Sequence, residues 1–288
     1  MLQAIRRFFI NNDYLEVETP QLIPAPAPEP HIDACRCGNR YLHTSPELHM
    51  KRLLAAGHPR LFQICRCFRE AERGDRHLPE FTMLEWYQAG SDYIKLMSEC
   101  EALFVYLGAE LGSGAALSCR GRLISTEPPW ERITVAEAFI RHAPLTMWEA
   151  LRRDSFDEMM ALHVEPALGI FKPTFIYDYP LHPGSLAKAK PNEPALTERF
   201  ELYIGGLELA NACSELTDVK EQRRRFQAAE EVRLARGKAA YPVAEKFLAS
   251  LFSLPDAAGI ALGIDRLAMC LTDRATIDDV VAFSPEDL

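Results

Sequence analysis

Two stretches of the chain set charged, aromatic and hydroxyl side chains at spacings that can do chemistry. In the first, Arg60-Leu-Phe-Gln-Ile-Cys-Arg-Cys-Phe-Arg69 reads as a strand, Glu70 to Glu80 as a charged loop, and Phe81-Thr-Met-Leu-Glu-Trp-Tyr-Gln88 as the returning strand. Side chains alternate faces along a strand. Gln63, Cys65, Cys67 and Arg69 therefore share one face, and so do Phe81, Met83, Glu85 and Tyr87, with Leu84 and Trp86 opposite. If the two faces coincide, one surface carries a cation, an aromatic plate, a carboxylate and a phenol. A phosphorylated nucleotide and an amine substrate would need that set. The plainer alternative is a surface hairpin with one apolar side.

The second stretch runs from Phe200 to Asp218 and continues at Gly259 to Arg266. Glu208 and Glu215 stand seven positions apart, one on a strand and one just beyond it, with Asn211 between them. Carboxylates are hard oxygen ligands suited to magnesium on phosphates. Arg266 follows Gly263 at a strand-to-helix junction. A cation there opposes the helix dipole, so an anionic ligand would help explain it. A helix-terminal salt bridge is the structural alternative.

The Arg60–Gln88 hairpin resembles motif 2 of the class II aminoacyl-tRNA synthetases. Thr44-Ser-Pro-Glu-Leu48 and Pro79-Glu-Phe-Thr-Met-Leu-Glu-Trp-Tyr87 resemble the lysyl branch. Phe200-Glu-Leu-Tyr-Ile-Gly-Gly-Leu-Glu-Leu-Ala-Asn-Ala-Cys-Ser-Glu-Leu-Thr-Asp218 resembles the lysine-binding strand and its loop. Gly259-Ile-Ala-Leu-Gly-Ile-Asp-Arg266 resembles motif 3, and Tyr14-Leu-Glu-Val-Glu-Thr-Pro20 resembles motif 1, the dimer-forming motif. The blocks stand in the family's order and cover nearly the whole chain. Motif 1 begins almost at Met1 and the chain ends soon after motif 3. The expectation is one catalytic domain over residues 1–288, an insertion at about 112–172, and no anticodon-binding domain. Stand-alone domains of this kind resemble the elongation factor P–lysine ligases, which attach lysine or β-lysine to a protein rather than to tRNA.

The resemblance implies an α+β fold, a class II antiparallel sheet flanked by helices, working as a homodimer. It implies ATP-dependent activation of lysine or (R)-β-lysine as the adenylate, with Mg2+, and transfer to a lysine side chain of elongation factor P. Arg69 would meet the α-phosphate, because a guanidinium fork matches two oxygens at once. Arg266 would lie on the far side of the nucleotide, with Gly263 beside it and His77 near the terminal phosphate. Phe81 would stack on adenine. Glu72 is preferred over Glu70 for the adenine amino group, since Ala71 stands where the family has glutamate. Glu208 and Glu215 would hold magnesium, with Asn211 contacting substrate or nucleotide. Glu85 and Tyr87 would clasp the ε-ammonium with Glu215 near, while Glu47 takes the other amine with Ser45 nearby.

Ala261 stands where lysyl-tRNA synthetases have glycine. Its methyl would reshape the amino-acid site towards a displaced amine, as in β-lysine. Two rivals stay open: a lysyl-tRNA synthetase lacking its anticodon domain, and a non-catalytic regulatory paralogue. The net charge of −9 disfavours non-specific binding to a polyanion such as tRNA.

The surrounding elements must hold these residues. A helix to about Asn11 leads to a short strand at Tyr14–Val17, and the Pro24–Pro30 segment reads as a loop. A helix beginning at Pro46 turns Met50, Leu53 and Leu54 inward. Asp92 to Leu111 is helical, with Leu96, Cys100, Leu103, Phe104 and Leu107 inward. Thr134 and Glu137 read as a capping box for Val135–His142, and Glu149–Leu162 reads as a further helix. Thr174–Tyr179 is a buried strand. Gly205-Gly206 turns a second hairpin. Val219–Ala235 is a helix whose Arg223-Arg-Arg225 run reads as a solvated face, and Val243–Leu251 is the helix before motif 3.

With 48% hydrophobic and 25% charged residues, the composition fits a globular protein. No apolar run is long enough to span a bilayer, and no signal peptide opens the chain. The eight cysteines form no disulfide-scaffold pattern, which fits reduced, cytoplasmic thiols. Cys35/Cys37 and Cys65/Cys67 are the close pairs. Zinc knuckles usually space cysteines by about two to four residues, so both pairs read as face-mates on strands.

Overall fold

The protein is described by a computed structural model covering residues 1–182 and 184–288. Its strands are β1 (Leu15–Glu16), β2 (Leu22–Ile23), β3 (Arg36–Cys37), β4 (Arg40–Leu42), β5 (Arg60–Phe68), β6 (Glu80–Ala89), β7 (Ala116–Cys119), β8 (Arg122–Ser125), β9 (Glu131–Thr134), β10 (Thr174–Pro180), β11 (Leu196–Ile204), β12 (Leu207–Ser214) and β13 (Ala257–Gly263). Its α-helices are α1 (Leu2–Asn11), α2 (Glu47–Ala55), α3 (Tyr93–Leu111), α4 (Val135–His142), α5 (Met147–Arg152), α6 (Phe156–Met159), α7 (Val219–Ala235), α8 (Glu245–Ser250) and α9 (Ile264–Leu271).

Eight strands make one sheet in the order β1-β5-β6-β13-β12-β11-β10-β9. It is antiparallel except at its edges, where β1 runs parallel to β5 and β9 parallel to β10. This is the expected α+β arrangement. One face is covered by α1 and α3. Leu84 and Trp86 enter that core with Phe9, Phe62, Leu96, Phe104 and Ile260. The opposite face is left for Glu85 and Tyr87.

Local chemistry fixes the helix ends. Asp92 accepts a hydrogen bond from the Lys95 amide at 2.8 Å, and α3 stops at Gly112 with φ 76°. Its inward residues recur every three or four positions, as one helical stripe requires. Gly205 and Gly206 adopt φ of 61° and 71°, the left-handed turn that matches strand twist in a two-residue hairpin.

Some expectations need correction. The helix read over Glu149–Leu162 is broken. A Thr146–Glu149 capping box starts α5 earlier, and Asp154 at φ 53° interrupts it before α6. The 112–172 insertion is part of the sheet and its core. It supplies edge strand β9 and packs Phe139, Met147 and Leu168 against Ile176 of β10 in a second apolar cluster. In α7, Arg224 is exposed and Arg223 half-buried, but Arg225 is 3% exposed and donates to the carbonyls of Ser185 and Ala187 at 3.1 and 2.7 Å.

Candidate active site

The register of β5 on β6 sets Gln63 opposite Glu85, Cys65 opposite Met83 and Cys67 opposite Phe81. Directly opposed residues share a face, so the two faces of the hairpin coincide. β13 extends the row, with Gly259 opposite Tyr87 and Ala261 opposite Glu85. β12 then sets Asn211 opposite Ala261 and Cys213 opposite Gly259. The β6, β13 and β12 members of this row wall a cleft of about 450 Å³.

Strict alternation would turn Glu208 away from Asn211. A bulge prevents this. Leu202 pairs with Ala210 but Tyr203 pairs with Glu208, which leaves Leu209 as the extra residue and brings Glu208 round to the cleft.

One end of the cleft is acidic. Glu85 is 1% exposed and accepts hydrogen bonds from Ser45 Oγ at 2.5 Å and Tyr87 OH at 2.8 Å. Burial, with the nearby Glu47 charge, pushes its carboxyl up to about 8. Glu215 is equally buried but has a cation: Lys51 Nζ lies against it and 2.5 Å from Glu47 Oε1. Burial pushes the Glu215 carboxyl up and Lys51 opposes that shift. Both carboxylates in turn hold the Lys51 ammonium above its ordinary value despite its burial.

The other end is cationic. Arg266 donates to the Glu208 carbonyl at 2.8 Å and to its carboxylate at 3.1 Å. It also donates to the Arg76 carbonyl at 3.1 Å and contacts His77 Nε2 at 2.7 Å. A guanidinium can only donate, so His77 Nε2 is the acceptor and the ring is neutral. Burial and Arg266 both lower the His77 pKa. Arg69 lies 5.0 Å over the Phe81 ring and 3.7 Å from Glu72, and its Nε is buried with no partner. An anionic ligand would satisfy such a donor.

Glu201, opposite Asn211, completes this wall. It accepts from Tyr179 and Tyr203 at 2.6 and 2.8 Å and from Arg199 at 2.5 Å. Burial pushes its carboxyl up; Arg199 opposes and Glu208 adds. The site residues expected from sequence thus all line one cleft. The structure does not bring Glu208 and Glu215 onto a common partner: Glu208 belongs to Arg266 and Glu215 to Lys51. Glu208 and Glu215 both line the cleft, and a divalent cation there would compete with Arg266 and Lys51 for them.

Residues 1–287 match the family described as tRNA synthetases class II (D, K and N). The chain belongs to the class II tRNA synthetase family. Among its relatives, the elongation factor P–(R)-β-lysine ligase of Pectobacterium atrosepticum is 39% identical over 319 aligned positions, covering 99% of this chain and 93% of that protein. The ligase of the same name from Salmonella typhi is 38% identical over 317 positions, covering 99% and 92%.

Within this class II site, sequence reasoning missed three residues. Lys51 sits one turn after Glu47 on the buried stripe of α2, and a lysine among Met50 and Leu54 was the available signal. Glu201 shares the alternating face of Arg199 and Tyr203, which could have flagged it. Gly259 had no local signal. A methyl there would collide with the Tyr87 ring and lie 2.6 Å from Glu215 Oε1.

Proposed function

We propose that the protein activates lysine or (R)-β-lysine with ATP and transfers the acyl group to a lysine side chain of elongation factor P. The observation that carries this reading is the charge balance of the acidic end. Of Glu47, Glu85 and Glu215, Glu47 and Glu215 share the cation Lys51, and Glu85 has only the Ser45 and Tyr87 hydroxyls. A substrate with two ammonium groups supplies the positive charge still missing, and buried carboxylates favour such pairing. The full-length likeness to ligases of that name supports the choice of acceptor.

In the first step the amino-acid carboxylate oxygen attacks the α-phosphorus. The α–β anhydride bond breaks, pyrophosphate leaves, and the aminoacyl adenylate forms. Arg69 and Arg266 counter the charge on the phosphates, which is what such a transfer needs most. Magnesium, held by Glu208 and Glu215, would supply further neutralisation of the polyphosphate. In the second step the acceptor amine, having lost a proton, attacks the acyl carbon and AMP leaves. Ala261 sets its methyl in the row between Glu85 and Asn211. There it favours β-lysine, and Ala261→Gly should move the preference towards α-lysine. Exposed Leu2, Ile10, Leu15 and Leu22 on the motif 1 side support a homodimer, which sedimentation would read as twice the chain mass. The reduced-thiol composition supports a cytoplasmic setting, and no helix among the described residues is long and apolar enough to cross a membrane.

The deciding experiment is mass spectrometry of elongation factor P after incubation with the protein, ATP and each lysine isomer. A mass gain of one lysyl group on one lysine is expected, larger with the β-isomer. Efficient charging of tRNA with elongation factor P unmodified would overturn the acceptor. ATP–pyrophosphate exchange driven better by leucine or asparagine than by any lysine isomer would overturn the pocket.

A further inference from the structure

Outside the cleft, at the outer part of β5, a ring nitrogen of His43 and the Sγ atoms of Cys65 and Cys67 all lie within 4.8 Å of one another. The two sulfurs are 4.0 Å apart, and Cys67 Sγ is 4.0 Å from His43 Nε2. A tetrahedral zinc ion with Zn–S of about 2.3 Å and Zn–N of about 2.0–2.1 Å has edges of about 3.8 Å between sulfurs and about 3.6 Å between sulfur and nitrogen. Two of the three edges therefore need to close by only a few tenths of an ångström, and the third, between Cys65 and His43, lies within 4.8 Å. Cysteines one residue apart form no knuckle by themselves. The chain folds His43 beside them through its carbonyl, which accepts from the Phe68 amide at 3.0 Å.

A second observation points the same way. Gln63, next along the face of Cys65, is 1% exposed, and neither its amide oxygen nor its nitrogen has a partner. His43 Nδ1 is also buried without one. Native interiors seldom leave so many polar atoms unsatisfied in one place. Cys65 and Gln63 also line an open groove with Glu18, Thr19 and Gln21, which gives an ion a way in.

We propose that His43, Cys65 and Cys67 form a binding site for a thiophilic divalent cation of the zinc type, with the Gln63 amide or a water as fourth donor. Each thiol gives its proton to solvent as its sulfur–metal bond forms. His43 Nε2 is 2.7 Å from the Arg66 carbonyl oxygen. Ligation through that nitrogen exchanges this hydrogen bond for the metal, and the ring proton moves from Nε2 to Nδ1. The site lies two residues before Arg69, but it uses no residue of the cleft chemistry.

The test is to titrate the reduced, metal-free protein with Co2+, then with Zn2+. The expected result is a thiolate-to-cobalt charge-transfer band with tetrahedral ligand-field bands. They should saturate at one ion per chain and be bleached by zinc. Cys65→Ser and Cys67→Ser should each remove most of the charge-transfer intensity, while Cys37→Ser, at an exposed cysteine, should leave it unchanged. Circular dichroism checks that each variant folds. Independently of any variant, one equivalent of Zn2+ should protect Cys65 and Cys67 of the wild-type chain from alkylation, read by peptide mass spectrometry. No thiolate band, a band that survives in both serine variants, or alkylation of Cys65 unaffected by zinc would overturn the site.

Discussion

The ammonium of Lys51 lies against the carboxylate of Glu215, and both side chains are almost wholly removed from solvent, at 2% and 1% exposure. An internal cation thus occupies part of a pocket whose acidic residues alone would read as a receptor for ammonium groups. Lys51 neutralises Glu215 and Glu47 together and leaves Glu85 to its two hydroxyl partners. The pocket is therefore graded: one carboxyl group has no cation and two share one. A diamino acid can meet it at two points.

Lys51→Met should be strongly destabilising, because it strands buried carboxylates. Removing one partner of a buried pair typically costs about 3–5 kcal/mol. Urea unfolding at neutral pH should show that loss. The double variant Lys51→Met, Glu215→Gln should recover part of it, since the stranded charge goes too. A wild-type midpoint for Lys51→Met would mean that the contact contributes little.

Glu85 gives a pH dependence with a definite sign. Its folded value, about 8, lies above the ordinary glutamate value of 4.5, so the empty folded state holds a proton that the unfolded chain releases. Stability of the empty protein should therefore fall as pH rises from about 4.5 to about 8. Glu85→Gln should remove that share of the slope. Diamino-acid binding needs the carboxylate, so affinity should rise over the same window and binding below pH 8 should release a proton. Calorimetry in buffers of different ionisation enthalpy reads that proton directly.

Arg69→Ala and Arg266→Ala should each lower adenylate formation about 100-fold or more, by analogy with the roughly 3 kcal/mol of a lost oxyanion donor. Arg266 also ties Glu208, His77 and the Arg76 carbonyl together. Its variant should therefore disturb metal and nucleotide binding too, whereas Arg69→Ala should act mainly on turnover. Pyrophosphate exchange, with nucleotide affinity measured separately, distinguishes the two.

Gly259→Ala should damage the amino-acid end while sparing the nucleotide end. The added methyl collides with Tyr87 and crowds Glu215. Overpacking of this kind typically costs about 1–3 kcal/mol. The expected kinetic signature is a raised KM for lysine with the KM for ATP little changed.

The sequence by itself determined the elements and the chemical inventory, because both depend on short-range rules. Alternation placed Phe81, Met83, Glu85 and Tyr87 on one face. Helical spacing chose the buried stripe of α3, and the Thr134–Glu137 box and Gly205-Gly206 marked where elements begin and turn. Tertiary structure decided what those rules cannot reach. Cross-strand register joined the two faces of the hairpin, and a bulge at Leu209 turned Glu208 into the cleft against its alternation. Packing of α2 under the sheet placed Lys51, already one turn from Glu47, against Glu215, a partner far along the chain. The same holds for His43 beside Cys65 and Cys67. Two cysteines at a spacing that local rules read as inert become a three-donor cluster once a distant loop folds against their strand.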